Sequence, residues 1–329
     1  MLCIDFYNWI DDSKYEWAEH PLIEWGECDG TEAVFYQLWM DSDYIYFTTP
    51  SGLDIMEIYQ GTKVAYIPYE NGFSSIWGND FSVYLGTTQS GLKYINKNDI
   101  IENELFPTSL QNNLLDYNYY YRPSSLNIKH THGHLDTLLV VTDIGIDVFN
   151  NGPNGFKSSF YSEDVTKAYV TINRNVYYLL NNTISGGVHK VNSWLFNWNE
   201  SDNSYIIGDS FIPSDIIIND IYISTSITNT LFLATTSGVY ILDELTDTYE
   251  TYNSLLVGTS LDIIGISPSP NASINYGNLT VVSKGQDAAL SVIDLQNKTL
   301  IDRYSLTSKG SSGDYLFSEA ATDLIIGSV

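Results

Sequence analysis

Apolar side chains fall in short runs set off by Gly, Asn, Asp, Ser and Pro, the pattern of strands joined by tight turns. Residues 83–95 show it most plainly: Val83, Leu85 and Thr87 alternate with their neighbours at period two, a polar turn follows, and a second strand runs to Ile95. Gly91 takes the turn position, where a positive φ costs glycine little. Near-copies of this unit lie at 231–242, 46–55 and 139–149. No stretch carries the 3.6-residue period of an amphipathic helix.

Six internal units recur at a spacing of about 40–50 residues, the length of a four-stranded propeller blade. They cover approximately 34–67, 73–108, 126–161, 167–209, 216–252 and 261–304. The second of these has its weakest strand near Leu105, and 112–125 is the longest connection. Segments 315–320 and 323–329 supply half of a further unit, and Leu2 to Phe6 has the form of the third strand at 92–96. Joining 1–26 to 312–329 would complete a blade from both ends and leave neither as a loose sheet edge. The pattern therefore predicts one all-β domain over 1–329, a seven-bladed β-propeller of four-stranded antiparallel blades closed by a blade shared between the termini.

The run Leu85-Gly86-Thr87, followed by Gly91-Leu92-Lys93-Tyr94-Ile95, resembles the propeller repeats of two-component-regulator sensor proteins. Four repeats match, and with their full blades they span about half of the chain. The others depart from the motif: Gly186-Gly187-Val188 follows a degenerate strand, and Gly285 is out of step with Asp287. This resemblance implies architecture and no catalytic residue. In its compact, Asn/Tyr/Ile-rich style, without a signal or sensor domain, the chain also resembles the stand-alone propellers of tailed-bacteriophage virions.

Charge narrows the partners. The chain has 40 Asp plus Glu against 14 Lys plus Arg, a formal net of −26. Such a field repels phosphate backbones, so nucleic acid is not an expected partner. No run reaches the length of a membrane span and no basic, signal-like start is visible, so neither a membrane nor secretion is expected. Cys3 and Cys28 make no disulfide framework and are read as buried thiols of a reducing compartment.

Several stretches carry atoms that could do chemistry. His130-Thr131-His132-Gly133-His134 would project imidazoles from one face of a strand, but no Cys or carboxylate completes a zinc set. Set beside the preceding unit, His132 falls opposite Trp77 and Gly133 opposite Gly78, which reads as a polar turn. Asp41-Ser42-Asp43 and residues 199–203 are oxygen-rich yet lack the spaced ligands that calcium needs, and read as Asx turns. Neither a metal nor a cofactor is expected. No Gly-x-Ser-x-Gly elbow occurs, and His20 and His189 sit in no triad order. Trp194, Phe196 and Trp198, alternating on one strand face, and Tyr119, Tyr120 and Tyr121, in the longest connection with Tyr117, are the candidate partner-binding anchors.

The resulting expectation is a non-enzymatic structural or adaptor protein of a phage particle, tail-associated and assembled in the host cytoplasm. Its partners would be other virion proteins, in multiple symmetric copies. Two alternatives stay open: a ligand-binding or enzymatic propeller with its site at the channel mouth, and a detached sensor-type propeller.

Overall fold

A strand packed on both faces has no room for polar alternation, and the second strand of each unit is of this kind. In Thr137–Thr142 every residue is buried. Leu138 and Val140 pack with Trp77, Tyr84 and Leu92, whereas Leu139 and Val141 pack with Val165, Ala168 and Val176. The period of two thus sorts side chains between two neighbouring sheets instead of between core and solvent. That is why Leu139-Val140-Val141 and Leu231-Phe232-Leu233 read as continuous apolar runs.

The computed structural model describes residues 4–8, 13–16, 37–49, 51–57, 63–100, 108–109, 114–116, 123–134, 137–150, 157–161, 165–171, 175–180, 189–192, 205–206, 216–224, 230–243, 248–269, 272–273, 275–285, 287–305, 315–317 and 323–328. Its chain divides into two compact bodies, one of Met1–Glu19, Thr183–Val188 and Ile206–Val329, the other of His20–Asn182 and His189–Tyr205. The described residues form seven sheets, named here in chain order from a terminal sheet to a seventh.

The body centred on 20–182 carries the second to fifth sheets, each built around a meander of antiparallel strands. The second runs Gln37–Met40, Tyr44–Thr49, Gly52–Glu57 and Lys63–Pro68. The third runs Ser75–Gly78, Ser82–Gly86, Leu92–Asn96 and Leu115–Asp116. In the fourth the strands are Ile128–His134, Thr137–Thr142, Gly145–Asn150 and Lys157–Tyr161. The fifth has Val165–Val170, Asn175–Leu180 and His189–Asn192, with Tyr205–Ile206 outermost.

The expected ending of the 73–108 unit is not what forms. Leu105 lies outside the described residues, and Thr108–Ser109 pairs in parallel with Ala65 and Tyr66 as a fifth strand of the second sheet. An open outer edge is thereby covered. The third sheet takes its own fourth strand from Leu115–Asp116.

The other body holds the sixth sheet, Ile218–Ile223, Thr230–Thr235, Gly238–Asp243 and Thr248–Thr251. Its seventh has Ile263–Pro268, Asn278–Ser283, Ala289–Asp294 and Thr299–Ser305. Tyr222, Phe232 and Ile241 of the sixth share one core with Ile266, Val281 and Ile293 of the seventh. In the terminal sheet, Ile4–Asn8 pairs antiparallel with Asp323–Ser328, Asp5 opposite Ile326. Ser13–Glu16 and Tyr315–Phe317 flank that pair, so both ends of the chain meet in one sheet.

The repeated Thr and Gly have one physical purpose. At the turn between second and third strands, Thr87 Oγ1 donates to the Gly91 carbonyl at 2.8 Å and accepts the Ser90 N–H at 2.8 Å. Thr142 does the same with Gly145 and Ile144, and Thr235 with Gly238 and Ser237. In the seventh sheet, Ser283 accepts the Ala289 N–H at 3.0 Å, which restores a unit whose glycine spacing is irregular. Leu180 stands at this position in the fifth sheet and offers no hydroxyl. Gly238 must be glycine on two counts: φ is 111°, and a Cβ there would collide with the Asn253 amide.

Thr235 is buried, so Thr235→Val leaves turn groups without partners at little change in shape. The expected cost is about 1–2 kcal/mol in urea unfolding, with an unchanged m-value. Deleting 323–329 removes a central strand of the terminal sheet, and the expected result is a drop in melting temperature well beyond that of trimming a tail. An unchanged melting temperature would contradict the pairing of the two ends.

Candidate functional site

The first strand of each unit from the second sheet to the seventh lies at the edge of its sheet, so half of its N–H and C=O groups have no ladder partner. Within each body, side chains from the preceding sheet supply those partners. Gln37 Oε1 accepts the Ile76 N–H at 3.1 Å. His130 and His132, at the corresponding edge of the fourth sheet, accept the N–H groups of Ala168 and Val170 on Nδ1 at 3.5 and 3.3 Å. Carbonyls are met in the same way: Ser74 Oγ donates to Ile128 O at 2.6 Å, Lys129 Nζ to Val165 O at 3.2 Å, and Asn219 Nδ2 to Ile263 O at 2.6 Å.

These donors sit at equivalent places. A bulge falls at Lys129, Thr166, Asn219 and Ile264, near the start of the first strand in four successive sheets. The extra residue interrupts the ladder there and re-aims its side chain. Close approach completes the joint: the Trp39 ring covers Gly78 and the Trp77 ring covers Gly133, where a Cβ would come within 2.6 and 2.5 Å of the ring.

This geometry corrects the reading of 130–134 as a polar turn. The segment is strand, with His132 opposite Leu139, Gly133 opposite Leu138 and His134 opposite Thr137. His130 and His132 are buried and both lie 5.1 Å from the Tyr169 ring. The alignment of His132 with Trp77 does hold: each faces the next sheet from the same position. Burial, chiefly, and then Lys167 and His132 hold the pKa of His130 well below the ordinary imidazole value. Burial and then His134 push His132 down to about 3. With Nδ1 accepting, each neutral ring carries its proton on Nε2.

Among the described residues no group of three or more His, Cys, Asp or Glu could hold a metal ion. Asp41 forms the expected Asx turn, its Oδ1 accepting the N–H groups of Asp43 and Tyr44 at 2.9 and 2.8 Å. Asp41 Oδ2 accepts from Lys97 at 2.5 Å and from the Tyr46 hydroxyl at 3.2 Å. Burial and that carboxylate raise the Tyr46 pKa, keeping the phenol protonated.

The sequence pattern missed Asp147, which is 1% exposed. It accepts from Ser124 N at 2.5 Å and from the hydroxyls of Ser124 and Ser159 at 2.6 Å each. No spacing in the sequence joins these three; they meet because the chain re-enters the fourth sheet at 123–127. Their geometry fixes that connection.

Trp194, Phe196, Trp198, Tyr119, Tyr120 and Tyr121 lie outside the described residues, as do Cys3, Cys28, His20 and the loop 199–203.

The histidines make stability depend on pH with a definite sign. A pKa lower in the folded than in the unfolded chain gives stability that is complete above the unfolded value near 6.5. It is lost as pH falls from there towards the folded value. Near pH 5, still above most carboxylate titration, His132 should cost about 2 kcal/mol relative to pH 8, and His130 adds a loss of the same sign. His130→Gln keeps the acceptor role that Gln37 fills in the second sheet. This variant should match the parent at pH 8 and lose a clear share of the acid sensitivity between pH 8 and 5, measured by urea unfolding at each pH.

No family model and no curated protein matches the chain. Solved structures do. The WD40 domain of Neurospora crassa Pan2 superposes with a TM-score of 0.58 at 10% identity, over 90% of this chain and 89% of that one. The computationally designed protein Ika8 gives 0.55 at 11% identity, over 90% and 83%. The extracellular domain of BT4673, a protein of B. thetaiotaomicron assigned to one-component systems, gives 0.53 at 14% identity, over 82% of this chain and 37% of that one. At such identities the likeness concerns fold alone. The fold is an all-β propeller with mostly four-stranded antiparallel blades.

Proposed function

We propose that this chain is a non-enzymatic structural or adaptor protein of a bacteriophage particle, tail-associated, whose seven sheets close as one ring through the sheet shared by its two ends. The observation that carries the non-enzymatic part is the use made of its polar side chains. His130, His132, Lys129, Gln37 and Asn219 are engaged with the backbone of neighbouring strands, and Asp147 with its own connection. Groups of the kind that do chemistry elsewhere act here as joints between sheets. The particle assignment is supported by the resemblance to stand-alone virion propellers. The Thr–Gly turn, repeated in several sheets, is the part that resembles two-component-regulator repeats.

In this reading the partners are other virion proteins, met in symmetric copies. The excess of 40 acidic over 14 basic side chains disfavours nucleic acid. Trp194, Phe196, Trp198 and Tyr119 to Tyr121 are the proposed aromatic anchors of that contact.

Mass spectrometry of gradient-purified particles, set against soluble cell extract, tests the proposal. The expected result is a fixed number of copies per particle, retained through a salt wash. Recovery of the chain from soluble extract alone, with none in particles, would overturn it.

A further inference from the structure

We infer that the hairpin tip at 79–82 is a docking point for a Lys/Arg-rich, aliphatic segment of a partner protein, with Phe81 as its anchor. This deepens the adaptor reading and rests on it for the partner being a protein. Phe81 is 78% exposed, the most exposed of the large hydrophobic residues described. Its backbone is held from both sides. Asn79 Oδ1 accepts the N–H groups of Phe81 and Ser82 at 2.9 Å each, and the Phe81 carbonyl accepts the Lys97 N–H at 2.9 Å. The ring is therefore presented on a fixed stem and loses little backbone freedom when it binds.

The neighbouring hairpin shows that the turn does not require an aromatic residue. Asp41 caps Asp43 and Tyr44 there just as Asn79 caps Phe81 and Ser82, and Asp43 occupies the place of Phe81. A polar residue serves the same backbone, so the turn itself does not call for phenylalanine. Exposed aromatics on rigid supports are the residues that anchor interfaces.

The charge around Phe81 selects the partner. Lys97 joins the two tips, its ammonium 2.5 Å from Asp41 and 4.6 Å from the centre of the Trp39 ring. Lys97 offsets Asp41, while Asp43 and Asp80 on the two tips and Asp99, two residues beyond Lys97, add negative charge. With a net charge of −26 on the chain, a second copy, an anionic membrane and nucleic acid all meet repulsion. A basic segment meets attraction at the rim and an aromatic ring at the centre.

Fluorescence anisotropy with two labelled 12-residue peptides tests this, one alternating Lys and Leu, the other Glu and Leu. The Lys/Leu peptide should bind the full chain, weaken with salt, and bind Phe81→Asp about tenfold more weakly. The variant adds a negative charge, so a purely electrostatic contact would strengthen instead. It copies Asp43, so its melting temperature should equal the parent's, and Phe81→Leu should recover most of the affinity. Equal or tighter binding of Phe81→Asp, no binding of the Lys/Leu peptide, or equal binding of the Glu/Leu peptide would each overturn the inference. Phe81-dependent self-association in sedimentation would also overturn it, by making a second copy the occupant. The adaptor reading is separable: particles that contain the chain while peptide binding ignores Phe81 would sink the anchor alone, and Phe81-dependent binding by a chain absent from particles would sink the adaptor alone.

Discussion

An edge strand buried against a neighbour cannot leave its outward N–H and C=O groups without partners, since each such group would cost about 1–3 kcal/mol. The rest of the structure depends on how that constraint is met. A second ladder cannot form at these edges because neighbouring sheets pack face to face. The partners seen are side chains, and they come from the sheet before. Gln37, Ser74, His130, His132, Lys129 and Asn219 are all explained by this single requirement. Different residue types perform the same task because the requirement is only for an acceptor or donor at a given height along the edge.

The same constraint explains two features that look unrelated. The bulges at Lys129 and Asn219 put an extra residue where it can reach the Val165 or Ile263 carbonyl of the next sheet. Gly78 and Gly133 let a tryptophan ring lie close against the strand, bringing neighbouring edges within hydrogen-bond reach. Within each body, neighbouring sheets are thus joined by an apolar layer and a line of polar contacts. The apolar layer supplies most of the stabilisation, whereas the polar line fixes the register. Neutral histidine suits the line because it accepts on one nitrogen, yet its proton affinity in the unfolded chain makes the joint sensitive to acid.

Much of the fold was legible in the sequence because the turn chemistry repeats. Thr87, Thr142 and Thr235 recur before a turn glycine for a local reason, a hydroxyl that closes the turn, and local reasons leave local patterns. The pairing of Ile4–Asn8 with Asp323–Ser328 was legible for the same reason, since each half looked like the strand it replaced. What was not legible depends on contacts between sheets. The 130–134 segment reads as a turn because its histidines are polar, and their burial follows only from acceptors needed by Ala168 and Val170, dozens of residues away. The parallel strand at Thr108–Ser109 and the gathering of Ser124, Asp147 and Ser159 have the same origin in chain return. Phe81 left a weak signal: an aromatic residue at a hairpin tip whose neighbour carries Asp43.

Amide hydrogen exchange resolved to single residues tests the edge-pairing account most directly. In the parent chain, Ala168 and Val170 should exchange as slowly as the ladder amides of Asn175–Leu180, although neither bonds within its own sheet. In His130→Ala, protection of Ala168 should fall sharply while that of Val170, held by His132, stays near the parent value. Unchanged protection of Ala168 in that variant, or fast exchange of both amides in the parent, would contradict the account.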